Sequence, residues 1–392
     1  MQPVLVLDAR QRSALAVTRS LGSHGIPVIT AEAGDSALAG ASRFSRDFFC
    51  YPDPQQHPQS FIEAVTGFCS KHSVSVIFPM TELTSTLLLS QREKLPAVTR
   101  LPFAGHQVVN RIADKCALLR LAEQQQVPIP RSWWADTPHK LPLPLTELPY
   151  PLVLKPGRSW AELNGKWLHT SVRFAENPTV AQTILEQDPA FSAGPFLLQE
   201  NVPGSGQGIF ALYDHGRPLA FFAHRRVHEK PPRGGVSVLS ESTAVDGKLR
   251  QHAEALLSAV GWHGIAMVEF RATPQQAWLM EINTRFWGSL QLAIDAGVDF
   301  PWLLYQITVG LNPDRVAAYH TGQQLRWLLG DLDYLYLTLK DRHFSYADKL
   351  RTLADFFIPE LTARRRYEIN RWEDMAPFWW EIKHYFAADT DS

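Results

Sequence analysis

Val268-Glu269-Phe270-Arg271 and Leu279-Met280-Glu281-Ile282-Asn283-Thr284-Arg285-Phe286-Trp287-Gly288-Ser289 each hold a glutamate inside an otherwise apolar run. Twelve positions separate the two glutamates, and Asn283 lies two beyond the second. A charge buried in such a run is costly unless something pairs with it. Period-two alternation puts Ala277, Leu279, Glu281 and Asn283 on one strand face and Trp278, Met280 and Ile282 on the other. Glu269 shares the face of Ile265 and Met267. A loop with an odd number of residues around Thr273–Gln276 would set Glu269 directly opposite Glu281. Two facing carboxylates call for a cation. Hard oxygen ligands converging from two strands suit Mg²⁺ shared with nucleotide phosphates. Ion pairs of the same carboxylates with Arg271 and Arg285 are the alternative.

The rest of the chain frames that hairpin. With 392 residues, two or three packed domains are expected. The 38 basic and 39 acidic residues nearly cancel, which argues against a general nucleic-acid or anionic-membrane binder. Cys50, Cys69 and Cys116 show no metal-type spacing and fit a reducing compartment. No apolar run reaches the length of a membrane span, and the first residues lack the order of a signal peptide, so a cytoplasmic location is expected.

Val4–Leu7, Pro27–Thr30 and Val74–Phe78 read as buried strands, with helices over Ser13–His24 and Ser60–His72 between them. That order predicts an α/β domain, a doubly wound parallel sheet, over residues 1–105. Ligands of such sheets sit at the carboxyl ends of strands, which here carry Asp8, Arg10, Thr81 and Glu82. A helix is expected from Asp114 to Gln125, then a proline-rich connector. Strands at Leu152–Leu154 and Pro195–Glu200 follow, then a flexible loop at Gly204–Gly208. A hairpin crosses Asp214–Arg217, and an amphipathic helix covers Lys248–Val260. The basic run from His224 to Ser237 reads as a mobile loop whose Arg225 and Arg226 could meet an anion. Residues 316–392 read as a helical appendage, with Arg364-Arg365-Arg366 on a solvated helix face.

Lys115 opens a helix, where free N–H groups favour anions, and Lys155 leaves a buried strand beside the turn at Gly157. Each alone reads more simply as a solvated lysine. Glu200 ends a strand before a Pro-Gly break.

In this fixed order, Asp114-Lys115, Leu154-Lys155-Pro156, Gln199-Glu200-Asn201-Val202-Pro203-Gly204, Val268-Glu269-Phe270 and Glu281–Ser289 resemble the ATP-grasp superfamily over about residues 1–310. The last run resembles its carboxylate–amine ligase-like branch, distantly similar to the carbamoyl-phosphate synthase large subunit and biotin carboxylase. The resemblance implies an α+β ATP-grasp domain over 106–315, with a lid subdomain at 125–201 and a larger one at 202–315. It implies that ATP phosphates contact Lys115 and Lys155 under a loop containing Gly157 and Ser159. It implies that Glu200 and the Val202 backbone hold the adenine. Glu269, Glu281 and Asn283 would ligate Mg²⁺ or Mn²⁺, and Arg285, with Arg225 or Arg226, would steady the transferred phosphate. Ser289, with Asp8, Arg10, Thr81 and Glu82, would face the substrates, a small carboxylate and an amine, and a homodimer would be usual. Thr284 stands where the family usually has proline, and Trp160 is bulky for a phosphate-covering loop. Two other readings are a non-catalytic nucleotide-binding regulator and a bicarbonate-activating enzyme.

Overall fold

The computed structural model describes residues 2–163, 165–232, 235–357 and 364–385. The first sheet is built from β1 (Val4–Val6), β2 (Val28–Glu32), β3 (Ser45–Cys50) and β4 (Val76–Phe78), in the order β3-β2-β1-β4 and parallel throughout. β1, β2 and β4 are apolar because both faces are covered, while β3, at the edge, is polar and part-exposed. Val4 and Val6 pack with Leu15 and Val17 of α1 (Arg12–Ser23). Leu5 and Leu7 pack on the other side with Phe61 of α2 (Pro58–His72) and Leu83 of α3 (Glu82–Ser90). Alternate residues of one strand thus feed two cores, and the sheet is wound on both faces as its sequence predicts.

Two short helices follow, α4 (His106–Ala113) and α5 (Lys115–Gln124). The extended backbone of Asp114 ends the first, and its side chain caps the second, accepting the Ala117 N–H at 3.0 Å. The second sheet, ordered β5-β10-β6-β9, comprises β5 (Ser132–Ala135), β6 (Leu152–Pro156), β9 (Arg173–Ala175) and β10 (Phe196–Glu200). Between β6 and β9 a separate hairpin forms from β7 (Trp160–Leu163) and β8 (Lys166–His169). Leu152, Leu154, Phe196 and Leu198 make a small core with Ala181 and Leu185 of α6 (Pro178–Gln187).

The third sheet has seven strands in the order β15-β14-β11-β12-β13-β16-β17. Its body is β11 (Ser205–Asp214), β12 (Arg217–Lys230), β13 (Val236–Thr243), β14 (Gly264–Ala272) and β15 (Ala277–Asn283), all antiparallel, with α7 (Gly247–Ala259) between β13 and β14. β11 turns into β12 through His215 and Gly216, at φ 46° and 83°. Two successive left-handed residues match the twist of a tight hairpin. The sheet is longer than its sequence suggests. The Gly204–Gly208 segment, expected as a flexible loop, mostly belongs to β11, and the basic run after His224 continues β12 to Lys230. Arg225 pairs with Glu241 of β13 at 3.0 Å, so cross-strand partners offset the charges that made this run look like loop.

After α8 (Leu290–Asp295) and α9 (Phe300–Thr308), the C-terminal region carries the expected helices and adds two strands to them. It supplies β16 (Gln324–Arg326) and β17 (Arg365–Tyr367) to the large sheet, along with α10 (Leu328–Lys340), α11 (Tyr346–Phe357) and α12 (Ala376–Tyr385). Arg365 and Arg366 therefore lie on a strand rather than on a helix face. Two ion pairs tie the region to α1. Arg12 meets Glu368, and Arg19 donates to Asp374 at 2.8 Å and to the carbonyls of Glu368 and Ile369. Breaking a buried pair from one side leaves the other charge uncompensated. Asp374→Ala should therefore cost about 3 kcal/mol or more, read as a lowered melting temperature. An unchanged melting temperature would show that the C-terminal region is only loosely attached. Among the described residues, no helix is long and apolar enough to cross a membrane.

Candidate active site

β14 and β15 are joined by a four-residue turn, Thr273 to Gln276, with Ala272 opposite Ala277 and Phe270 opposite Leu279. The even turn would put Glu269 opposite Met280. A bulge between Glu269 and Phe270 corrects the register, and Glu269 faces Glu281. The odd residue that the pairing requires is thus Met280, inside the strand, and not a loop residue. The bulge also changes the faces. Leu279 and Ile282 both enter the apolar core, while Met280 lines the cleft beside Glu269. The strict alternation expected for β15 fails at that one residue.

Asn283 donates to Glu269 Oε1 at 2.9 Å and to Glu281 Oε1 at 3.4 Å, linking the pair. Lys115 Nζ lies 3.1 Å from Glu281 Oε2, and Arg226 Nη2 lies 3.9 Å from Glu269 Oε2. Arg271 and Arg285, the alternative partners, bond instead to the carbonyls of Gly204 and Phe286. Burial and the facing Glu281 carboxylate raise the pKa of Glu269 to about 7. Burial also works against Glu281, but Lys115, then Lys155 and the Asn283 amide, hold its pKa below the ordinary carboxylate value. Lys115 is only 7% exposed. Burial alone would lower its pKa, yet Glu281, Glu82 and Glu269 more than offset this and raise it.

Lys155 is buried as well. Its ammonium donates to Gln199 Oε1 at 2.6 Å and approaches Met280 Sδ at 3.9 Å. Gln199 is oriented in turn by Ser132 Oγ at 2.9 Å. Burial pushes the Lys155 pKa down to about 8. Neither lysine is the solvated side chain that its local sequence suggests. Gly157 brings their two elements together: its carbonyl accepts the Lys115 N–H at 2.7 Å and its N–H bonds Pro195 O at 2.8 Å. A Cβ there would sit 2.8 Å from that same Pro195 oxygen, which only glycine avoids. Beside these groups opens a cleft of about 750 Å³, lined by Gly206, Gly208, Arg225, Arg226, Glu269 and Met280.

A family model described as "ATP-grasp in the biosynthetic pathway with Ter operon" matches residues 192–330, the span that holds Glu269, Glu281 and Asn283. The biotin carboxylase of Campylobacter jejuni, solved with an ATP analogue, superposes with a TM-score of 0.65 at 17% identity, covering 83% of this chain and 74% of that one. The L-amino acid ligase of Bacillus licheniformis gives 0.58 at 15% identity, over 79% and 74%. N5-carboxyaminoimidazole ribonucleotide synthetase from Thermus thermophilus gives 0.59 at 15%, over 82% and 81%. The chain has the ATP-grasp fold. No curated protein matches its sequence.

Within this ATP-grasp fold the other expected site residues are scattered. Glu200 is exposed at the end of β10, its N–H bonded to Arg131 O, and Val202 is buried two residues on. Within the segment expected as a loop from Gly157 to Gly165, Trp160–Leu163 forms β7 and pairs with β8, with Trp160 edge-on to His169 at 5.0 Å. Ser159 shares a narrow crevice with Lys115, Glu281, Asn283, Arg285 and Glu82. Ser289 is hydrogen-bonded to His224 Nε2 at 2.9 Å, and burial lowers the His224 pKa to about 3, so that imidazole is neutral.

Asp8 does not reach the cleft. It is buried and committed to the fold, accepting from the N–H groups of Met80 and Thr81 at 2.9 Å and from Thr84 Oγ1 at 2.6 Å. It fixes the turn that starts α3, where Thr81 is the cap and Glu82 the first residue. Arg10 is exposed, its guanidinium against Gly34. Sequence reasoning missed Met280 and Gln199. The bulge leaves no sequence signal. Gln199 left one, a polar side chain in the buried strand that neighbours Lys155.

Proposed function

We propose that the protein is an ATP-dependent carboxylate–amine ligase. The observation that carries this reading is the convergence of Glu269, Glu281 and Asn283 from one hairpin with two buried lysines beside a cleft of about 750 Å³. The donor set fits a divalent ion: two carboxylates and an amide oxygen, with Glu269 driven toward its neutral form by burial and the facing Glu281 even with Lys115 beside that carboxylate. Mg²⁺ bound there would neutralise charge on the nucleotide phosphates. Lys115 and Lys155 bind the phosphates as point charges, and the segment with Gly157 and Ser159, which leads from β6 into β7, covers them. Glu200 and the Val202 backbone hold the adenine. Arg226 and Arg285, with Arg225, stabilise the phosphoryl group in transit. The substrate carboxylate attacks the γ-phosphorus and ADP leaves. The amine then attacks the acyl carbon of the acylphosphate, forming the C–N bond and releasing phosphate. Excluding water matters because the acylphosphate would otherwise hydrolyse.

The test is ADP release from Mg-ATP across a panel of acids and amines, with bicarbonate among the acids. Turnover that needs both an organic acid and an amine supports the ligase. Turnover with bicarbonate alone favours the carboxylating reading, and no turnover with any pair favours a regulator.

A pH dependence follows from Lys155. In the free protein its charge is lost as pH rises through about 8, whereas a bound phosphate favours the protonated form. Nucleotide affinity should therefore fall above that pH, by a factor approaching about ten per pH unit, with proton uptake on binding. Calorimetry in buffers of different ionisation enthalpy measures both. Lys155→Met should bind more weakly and lose the dependence.

A further inference from the structure

Asp214, His215 and His263 lie at the far end of β11 from the cleft, and their ligand atoms all fall within 4.8 Å of one another. Asp214 is six residues along β11 from Gly208, the residue paired with Glu269, so roughly 20 Å of strand separates this cluster from the carboxylate pair. No step of the proposed ligase chemistry uses it.

The local geometry is set by the strands. Tyr213 pairs with Gly264, so the next residues on each side, Asp214 and His263, face each other at the strand ends. His263 Nδ1 stands 3.2 Å from Asp214 Oδ1, and His215 Nε2 stands 3.9 Å from the same oxygen. Ligand atoms about 2.0–2.2 Å from a tetrahedral ion are roughly 3.3–3.6 Å apart, so the Asp214–His263 spacing already suits one, and the His215 ring has to turn to join them. His263 Nδ1 is buried and has no aligned hydrogen-bond partner. Its backbone is fixed, since its carbonyl accepts the Ala104 N–H at 3.0 Å. His215, by contrast, sits on the exposed turn, its ring stacked on that of His263 with centroids 4.3 Å apart. A cavity of about 330 Å³ adjoins both histidines and is lined by Arg92 and Arg100.

We propose that Asp214, His215 and His263 form a transition-metal site of the zinc class, with a fourth position open to that cavity. Two imidazoles and one carboxylate suit Zn²⁺, Co²⁺ or Ni²⁺, whereas the oxygen-only set at Glu269, Glu281 and Asn283 suits Mg²⁺. The arginines favour water-derived hydroxide or another anion in the open position. Binding joins the β11–β12 turn to the start of β14 and, through Ala104, to the chain leaving the first sheet.

Co²⁺ titration of chelator-treated, full-length protein without nucleotide tests this. The expected result is one ion per chain with the intense visible absorption of four-coordinate Co²⁺, displaced by Zn²⁺. His215→Asn keeps a side chain that tolerates the left-handed turn and should weaken Zn²⁺ binding about tenfold or more, and His263→Gln should weaken it further. Glu281→Gln should leave the site intact, so failure of the ligase reading does not touch this one. Only the weak spectrum of six-coordinate Co²⁺, or Zn²⁺ affinity unchanged in both histidine variants, would overturn the proposal.

Discussion

Glu281→Gln is expected to lower ADP release by about three orders of magnitude or more while leaving the protein folded. The substitution keeps the shape of the side chain and removes one charge. Glu281 is the carboxylate that Lys115, Lys155 and Asn283 hold in its ionised form, so it is the stronger of the two acidic donors. Glu269, raised to about 7, cannot replace it. The cost to stability should be small. An amide oxygen can still accept from Lys115, and the repulsion between the facing carboxylates disappears. Nucleotide turnover and a melting curve on the same sample test both halves. Turnover within about tenfold of the unsubstituted protein would sink the assignment of this carboxylate.

β1, β2 and β4 of the first sheet were legible because they are apolar on both faces, and Gly25, at φ 77°, marks the end of α1, whereas the polar, part-exposed β3 was not. The acidic hairpin was legible because charges in apolar strands need a reason. Four things were hidden, each for its own physical cause. The Met280 bulge is a backbone event that residue types do not specify, and it moved the odd residue from the turn into the strand. The strand at Arg225–Lys230 is basic because its acidic partners lie on other elements: Glu241 across the ladder for Arg225, Asp333 of α10 for Lys230. β16 and β17 are three residues each, too short to show alternation, and they pair with each other across the two helices between them. Lys115 and Lys155 looked like surface lysines because what buries them, Glu281 and Gln199, comes from other parts of the chain.

Lys115→Met should destabilise the metal-free protein by about 3 kcal/mol at neutral pH and above, and by much less near pH 5. Lys115 is the cation that offsets Glu281 when nothing else does. Without it two buried carboxylates face each other across one ladder position, and a proton must neutralise one of them. That carboxyl then has a folded pKa above its unfolded value. Such a group contributes stability that is present below the unfolded pKa and lost as pH rises through the folded one, so the defect grows with pH. Glu269, already raised to about 7 with Lys115 in place, marks the lower edge of the window in which the loss should be complete. Thermal unfolding in chelator across that range measures it, and Mg²⁺ with a non-hydrolysable ATP analogue should restore part of the loss. A uniform loss at every pH, untouched by Mg-nucleotide, would mean that Lys115 only fills space at the start of α5.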